Sequence, residues 1–170
     1  MSNVVIVNAK RSAIGKFLGG LSGLSSVDIG SKVLNSLIES SKIQKSDVDE
    51  VIMGQVLTGG HGQNPARQTM MLSEIPYEKS AVTINQVCGS GLRAISIGAQ
   101  SILSGQSEIV IAGGQESMSN SHHTANIRNG IKMGDGSLKD SMIVDGLWCA
   151  MNDYHMGTTA ENIAEKYKIS

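Results

Sequence analysis

"TINQVCGSGLRAISIGAQSIL", residues 83 to 103, joins a short β-branched run to a helical pattern and places Cys88 on the join, with Gly89 and Gly91 just after it. The run before the join is continuous rather than alternating, which suits a strand buried on both faces. After it, Leu92, Ile95, Ala99, Ile102 and Leu103 mark one helical face, while Ala94, Ile97 and Gly98 give the opposite side small or apolar groups. Between Lys79 and Glu108 the one charged residue is Arg93. A helix apolar nearly all round belongs inside a protein, so something must cover both of its sides.

The same alternation of short runs and helical patterns extends in both directions. The runs are "VVIV" (4–7), "VIM" (51–53), "VTI" (82–84) and "IVIA" (109–112). Between the first two, Ile29, Val33 and Leu37 recur at four-residue spacing beside Leu34 and Ile38, and Ser25 with Asp28 forms a capping-box pattern. Asn64-Pro65 reads as the N-cap and first-turn proline of a short helix through about Leu72. The helix after Cys88 runs from Ser90 to near Gly105. The order β-α-β-α-β-α-β predicts an α/β layered domain with right-handed crossovers, assigned to residues 1–116.

Residues 117–170 read differently. After Glu116 roughly forty residues show little periodicity, and irregular stretches beyond ~15 residues are usually functional or disordered. Met142, Ile143, Leu147 and Trp148 argue against complete disorder. A last helix is expected from Thr158, where Thr158 and Glu161 could form a capping box ahead of Ile163, Ala164 and Tyr167.

Composition narrows the classes. The 170 residues carry a net charge of -1 and are 40% apolar, which is ordinary for a soluble globular chain. No basic excess points to nucleic acid, and no apolar run approaches membrane length. The start, "MSNVVIVNAKR", has its charges after the apolar run, the reverse of a signal peptide, so a cytoplasmic location is expected. The two cysteines, Cys88 and Cys149, lack the spacing of a metal site, and a disulfide is not expected. His122-His123 has no identifiable third ligand, so no metal is expected there. His61, in a glycine-rich loop, is expected to be exposed, and Cys149 to be a small buried residue or an incidental thiol.

What could a thiol do at a strand-to-helix join? A free thiol titrates near pH ~8.5, and a helix N-terminus contributes at most ~2 kcal/mol, about one and a half pH units. A nucleophile in such a place therefore needs a nearby base. Gly89 and Gly91, without Cβ atoms, would let an acyl group approach, and main-chain N–H groups could stabilise an oxyanion. A plain buried cysteine remains the competing reading. Gly89-Ser90-Gly91-Leu92-Arg93-Ala94 also satisfies the dinucleotide pattern G-x-G-x-x-A, but Glu108 opens the following strand and Glu116 comes late for the acidic residue that pattern wants. The G-x-S-x-G elbow fails, because Cys88 stands where its first glycine would be.

"NQVCGSGLRA" resembles the acyl-cysteine motif of the thiolases, joined by "GQNPARQ" (62–68), "AGGQESMS" (112–119), "KMGD" (132–135) and "YHMGTTAEN" (154–162) in family order. β-Ketoacyl synthases are similar in fold, yet "GQNPARQ" and "YHMGTTAEN" favour the thiolases, and among them the biosynthetic bacterial branch. The resemblance implies the N-terminal half of an αβαβα sandwich, followed by the start of a loop domain that covers CoA and carries a tetramerisation loop around "KMGD". It implies Cys88 as nucleophile and acyl-thioester carrier, Gly89 and Gly91 as backbone support, and Leu147, His155 and Met156 along the pantetheine tunnel. Asn64 and Arg67 would be structural. The implied reaction joins two acetyl-CoA into acetoacetyl-CoA and CoA, or reverses that by thiolysis, with no cofactor or metal and in a homo-oligomer, dimer or tetramer.

The resemblance also implies a Gly-His-Pro histidine, a C-x-G-x-G cysteine and an Asn-Glu-Ala-Phe segment, and none occurs in these residues. The expectation is a truncated chain, or half of a split enzyme that needs a complementary C-terminal half, with little turnover alone. A non-catalytic remnant is the alternative. Without that second half, the helix after Cys88 is expected to expose an apolar patch.

Overall fold

In the computed structural model, which describes residues 3–170, three of the apolar runs meet as one parallel sheet. β1 (Glu50–Gly54) takes the centre, with β2 (Ser80–Ile84) on one side and β3 (Val110–Gly114) on the other. The register sets Gly54 level with both Ile84 and Gly114, so all three strands run out at one edge. This sheet belongs to the first of two compact units, which runs to Asn120.

Helices cover both faces of the sheet. α1 (Ser26–Ser41) begins with the expected capping box: Ser25 Oγ accepts the Asp28 N–H, and the Asp28 carboxylate accepts the Ser25 N–H. α2 (Pro65–Leu72) is capped by Asn64, whose side chain accepts the Arg67 N–H at 3.2 Å. Together they bury Leu34, Ile38, Ala66 and Met70 against Val51, Met53 and Ile111. α3 (Ser90–Leu103) lies on the residues of opposite parity. Ser101 donates to Glu50 at 3.0 Å, and a Cβ at Gly98 would lie 3.0 Å from Val110 and 3.4 Å from Ala112. Because side chains alternate between faces and both faces carry helices, the central β1 reads as a continuous apolar run. β2, by contrast, has no fully buried residue and leaves Val82 39% exposed, contrary to the expectation of burial on both faces.

α3 seats itself by its small side. Ser90, Ala94, Gly98 and Ser101 are buried, whereas Leu92 is 76% and Leu103 61% exposed, with Ile95 exposed beside them. Close approach to the sheet selects the stripe with the least side chain, which leaves the bulky face outside. The apolar patch expected for this helix is present on that face.

The run "VVIV" at 4–7 is not a strand, contrary to expectation. Val5, Ile6 and Val7 are 70–81% exposed. A strand needs a ladder partner for its N–H and C=O groups, and this run pairs with none of the strands of the sheet, whose order among the described residues is β2-β1-β3. The segment is instead tied to the end of α1, where the Asn8 amide donates to the Ser40 and Ser41 hydroxyls at 2.8 and 2.9 Å.

The second unit, Ser121–Ser170, holds more order than its sequence suggests. β4 (His123–Thr124) pairs antiparallel with β5 (Lys139–Asp140), and a π-helical turn covers Met142–Leu147. β6 (Trp148–Cys149) then pairs antiparallel with β7 (Tyr154–His155), which leads directly into α4 (Met156–Tyr167). α4 therefore starts ahead of Thr158, and its cap is His155, whose Nδ1 accepts the Gly157 N–H at 2.9 Å. Among the described residues, no helix is long and apolar enough to cross a membrane.

At the opposite edge of the sheet, Asp49 ties the strand starts together. Its carboxylate accepts the N–H groups of Glu108 and Ile109 at 2.8 and 3.1 Å, and Lys79 reaches it at 3.1 Å. These bonds, the Glu108 N–H first, draw its pKa below the ordinary value. A carboxylate lowered in the folded state stabilises the fold above the unfolded pKa of ~3.9 and loses that contribution as pH falls through the folded value. Asp49→Ala should therefore cost about 1–3 kcal/mol at neutral pH. In urea melts the gap from wild type should close as pH falls below ~4; a gap independent of pH would contradict the assignment.

Candidate active site

Cys88 sits at the head of α3 and is exposed. The chain reaches it through Val87, whose φ of +50° lies in the left-handed region. That conformation costs an L-residue roughly 1–2 kcal/mol, and a β-branched side chain is among the least suited to it. Every polar group of the Val87 peptide is engaged. Its N–H donates to Asn85 Oδ1 at 2.8 Å, and its C=O accepts both the Ser90 N–H at 3.1 Å and the Ser90 hydroxyl at 2.6 Å. Ser90 Oγ in turn accepts the Gln86 N–H at 2.8 Å, and Gly89 N–H donates to Gln86 O at 3.1 Å. The result is a tight elbow that presents the thiol outward.

The elbow rests on the ends of the strands. A Cβ added at Gly54 would stand 2.5 Å from the Ser90 carbonyl carbon and 2.7 Å from the Gly91 nitrogen. One added at Gly114 would stand 3.3 Å from Gly91 Cα. A Cβ at Gly91 itself would stand 3.7 Å from Gly114, an ordinary contact, so the close approach is demanded at Gly54 and Gly114; Gly89 is the N-cap of α3. The first turn of α3 also leaves main-chain N–H groups without helical acceptors, as any helix start does.

Just past those strand ends lies a buried polar network. Thr69 donates to Gln115 Oε1 at 2.6 Å, Gln115 donates to Gln55 Oε1 at 3.0 Å, and Gln55 donates to Leu57 O at 3.0 Å. Glu116 adds a clamp, accepting the Val56 and Leu57 N–H groups at 2.8 and 3.3 Å. Burial pushes the Glu116 carboxyl above its ordinary value, against the pull of those N–H groups. Sequence reasoning assigned none of these residues a role. The signal was available, since both "VIM" and "IVIAG" are followed by the same Gly-Gln pair.

In the second unit, the β6–β7 hairpin gathers the remaining candidates. Trp148 pairs with His155, so Leu147 and Met156 flank the same end of the hairpin. Leu147 is half-buried, while His155 and Met156 are exposed. The His155 imidazole already serves as a helix cap through Nδ1. Cys149 is half-buried in the same hairpin, with its thiol accepting the Asn152 amide at 3.3 Å. N–H donors draw that thiol below its ordinary pKa, the Asn152 backbone first, then its side chain and Met151.

The other sequence candidates are structural. Arg67 donates to the carbonyls of Tyr77 and Lys79, holding the loop that enters β2. His61 is half-buried rather than exposed, because its carbonyl accepts the Gln68 amide at 2.9 Å and so draws the loop in. His122 and His123 are exposed, and the described residues hold no group of three or more His, Cys, Asp or Glu placed for a metal ion.

A parallel sheet sandwiched by helices, with a thiol on an elbow at the strand ends, defines a class of layered α/β proteins rather than one member of it. Comparison with known proteins is more specific. The pattern of the thiolase N-terminal domain matches residues 4–170, and the chain belongs to the thiolase family. It is 58% identical over 97% of its length to an acetyl-CoA acetyltransferase of Allochromatium vinosum. It is 53% identical over its whole length to an acetyl-CoA acetyltransferase of Paracoccus denitrificans and to a probable acetyl-CoA acetyltransferase of Escherichia coli. The chain spans 42–44% of the length of these relatives.

The glycine contact can be tested directly. Gly54→Ala should lower stability by about 1–3 kcal/mol and speed amide exchange at Ser90 and Gly91, because only a shift of the helix head can admit the methyl. Gly20→Ala, with nothing within 4 Å of the added atom, should stay within about 0.5 kcal/mol of wild type. Equal effects at both sites would show that the approach at Gly54 is not tight.

Proposed function

We propose that the chain supplies the acyl-carrying half of an acetyl-CoA acetyltransferase, with Cys88 as the nucleophile. One observation carries the reading: in a thiolase N-terminal domain, this exposed thiol stands on a strained elbow seated against strand-end glycines. The relatives, which are acetyl-CoA acetyltransferases, supply the substrate for this reading.

In the first step Cys88 Sγ bonds the acetyl carbonyl carbon of acetyl-CoA, the carbon–sulfur bond to CoA breaks, and the thiol proton leaves with CoA. N–H groups at the helix head would stabilise the tetrahedral oxyanion, and Gly89 and Gly91 leave it room. In the second step another acetyl-CoA loses a proton beside its carbonyl. Its carbon bonds the acyl carbon, the Sγ–acyl bond breaks, and the released Sγ thiolate takes up that proton as acetoacetyl-CoA forms. Run backwards, the sequence is thiolysis. The thioester is itself the activated group, so the proposal includes no cofactor.

Leu147, His155 and Met156 are proposed to line the path of the pantetheine arm, and their clustering on one hairpin supports a shared role. The reading includes a cytoplasmic location. It also includes self-association, or pairing with a complementary C-terminal half, through the exposed Leu92, Ile95 and Leu103 face of α3.

The proposal places the general base outside these residues, so the isolated chain should turn over little acetoacetyl-CoA. Acyl transfer alone should still be visible. Incubated with acetyl-CoA, the chain should gain one acetyl group, mapped by peptide mass to Cys88 and missing from Cys88→Ala. An acetyl group on Cys149 instead, or none at all, would defeat the assignment.

A further inference from the structure

The geometry points to Ser90 as a positioning residue: its buried hydroxyl holds Val87 in the left-handed conformation and so sets the direction from which the Cys88 thiol meets an acyl group. This rests on the acyl-cysteine reading above and adds to it a residue that touches neither substrate nor sulfur in the proposed steps.

Val87 has no reason of its own to adopt a φ of +50°. Something must hold it there, and two side chains are in place to do so. Asn85 accepts the Val87 N–H, but Asn85 is exposed and water competes for that bond. Ser90 is 4% exposed, so its hydroxyl has no such competitor. That hydroxyl donates to Val87 O at 2.6 Å and accepts from Gln86 N at 2.8 Å, so it bridges the peptide before Gln86 to the peptide after Val87 and spans the Val87 Cα between them. Its Cβ lies against Gly54, where an added Cβ would come within 2.6 Å, so the strand end fixes where the hydroxyl stands. Cys88 is bonded directly to Val87, so the Val87 carbonyl plane places the Cys88 N and Cα from which its side chain departs. Ser90 thus transmits the position of β1 to the sulfur.

The test exploits the freedom of glycine, which adopts positive φ without help. In a Cys149→Ser background, Cys88 is the sole thiol. Two reactions are followed at about pH 9.5, where a free thiol ionises without a base. Acetyl transfer from acetyl-CoA needs the sulfur aimed so that the oxyanion meets its donors. Alkylation by iodoacetamide is a direct displacement at an exposed sulfur and does not.

Ser90→Ala should lower acetyl transfer roughly tenfold, the equivalent of one or two net hydrogen bonds, while alkylation changes less than about twofold. Adding Val87→Gly to Ser90→Ala should restore acetyl transfer to within about threefold of wild type, since a glycine at that position needs no clamp. A structural role alone would move both reactions together and would not be rescued at position 87. An unchanged ratio of the two rates in Ser90→Ala, or no rescue by the glycine, overturns the proposal. Should Ser90→Ala fail to fold, the double variant is compared with Val87→Gly alone: equal transfer supports the proposal, and a roughly tenfold loss overturns it. A wild-type chain whose Cys88 takes acetyl no faster than free N-acetylcysteine defeats the acyl-cysteine reading itself, and this inference with it. Normal wild-type transfer with an indifferent Ser90→Ala defeats the inference alone.

Discussion

Main chain meets main chain where β1 and β3 run out beneath the head of α3, and the geometry of this unit depends on that approach. Gly54 and Gly114 admit it because neither carries a Cβ. A helix seated this way is located by the hydrogen-bonded ladder of the sheet rather than by side-chain packing, which can slide by fractions of an ångström among rotamers. The ladder is continuous past the strand ends, since Gln55 N–H donates to Ile84 O and Gln115 N–H to Gly54 O. The network of Thr69, Gln115 and Gln55 then fastens the exits of both strands to α2. Ser90 and Gly91 inherit a position set by three strands and two helices.

The same approach explains why α3 turns its small side inward. A helix that touched the sheet through Leu92, Ile95 and Leu103 would stand off by the length of those side chains, and Gly54 could not reach Ser90. Burying Ala94 and Gly98 instead gives up apolar area, at ~25 cal/mol per Å², in exchange for position. The bulky face is left in solvent, where an apolar strip of this kind is a liability unless it is covered. Position has been favoured over burial at the helix that Cys88 immediately precedes.

Local chemistry carried most of what the sequence revealed. The three core strands, the Ser25–Asp28 box and the Asn64-Pro65 helix start depend on a few adjacent residues, and each is present. "VVIV" was misleading because its composition is that of a strand while its state depends on a partner, which composition does not encode. α4 began early because the cap came from His155, a side chain seldom counted among helix caps, where Ser, Thr, Asn and Asp dominate. At the elbow, Cys88 and its glycines were legible, whereas the left-handed Val87 was not. A valine at positive φ contradicts local preference, and only the surrounding bonds make it possible.

The two thiols differ in what holds them. Cys149 has donors aimed at it and a lowered pKa, the usual local marks of reactivity. Yet it rides on a hairpin of two-residue strands, a structure marginal by itself, and its sulfur is engaged by Asn152. Acyl transfer asks for a sulfur, a carbonyl carbon and oxyanion donors held in one arrangement, and misplacement by about 1 Å can cost on the order of a hundredfold. Cys88 stands on an elbow braced by Ser90 and by the strand-end glycines, which can meet that demand. Of the two, Cys149 is electrostatically encouraged and Cys88 is mechanically braced, and the acyl-cysteine proposal rests on the second property.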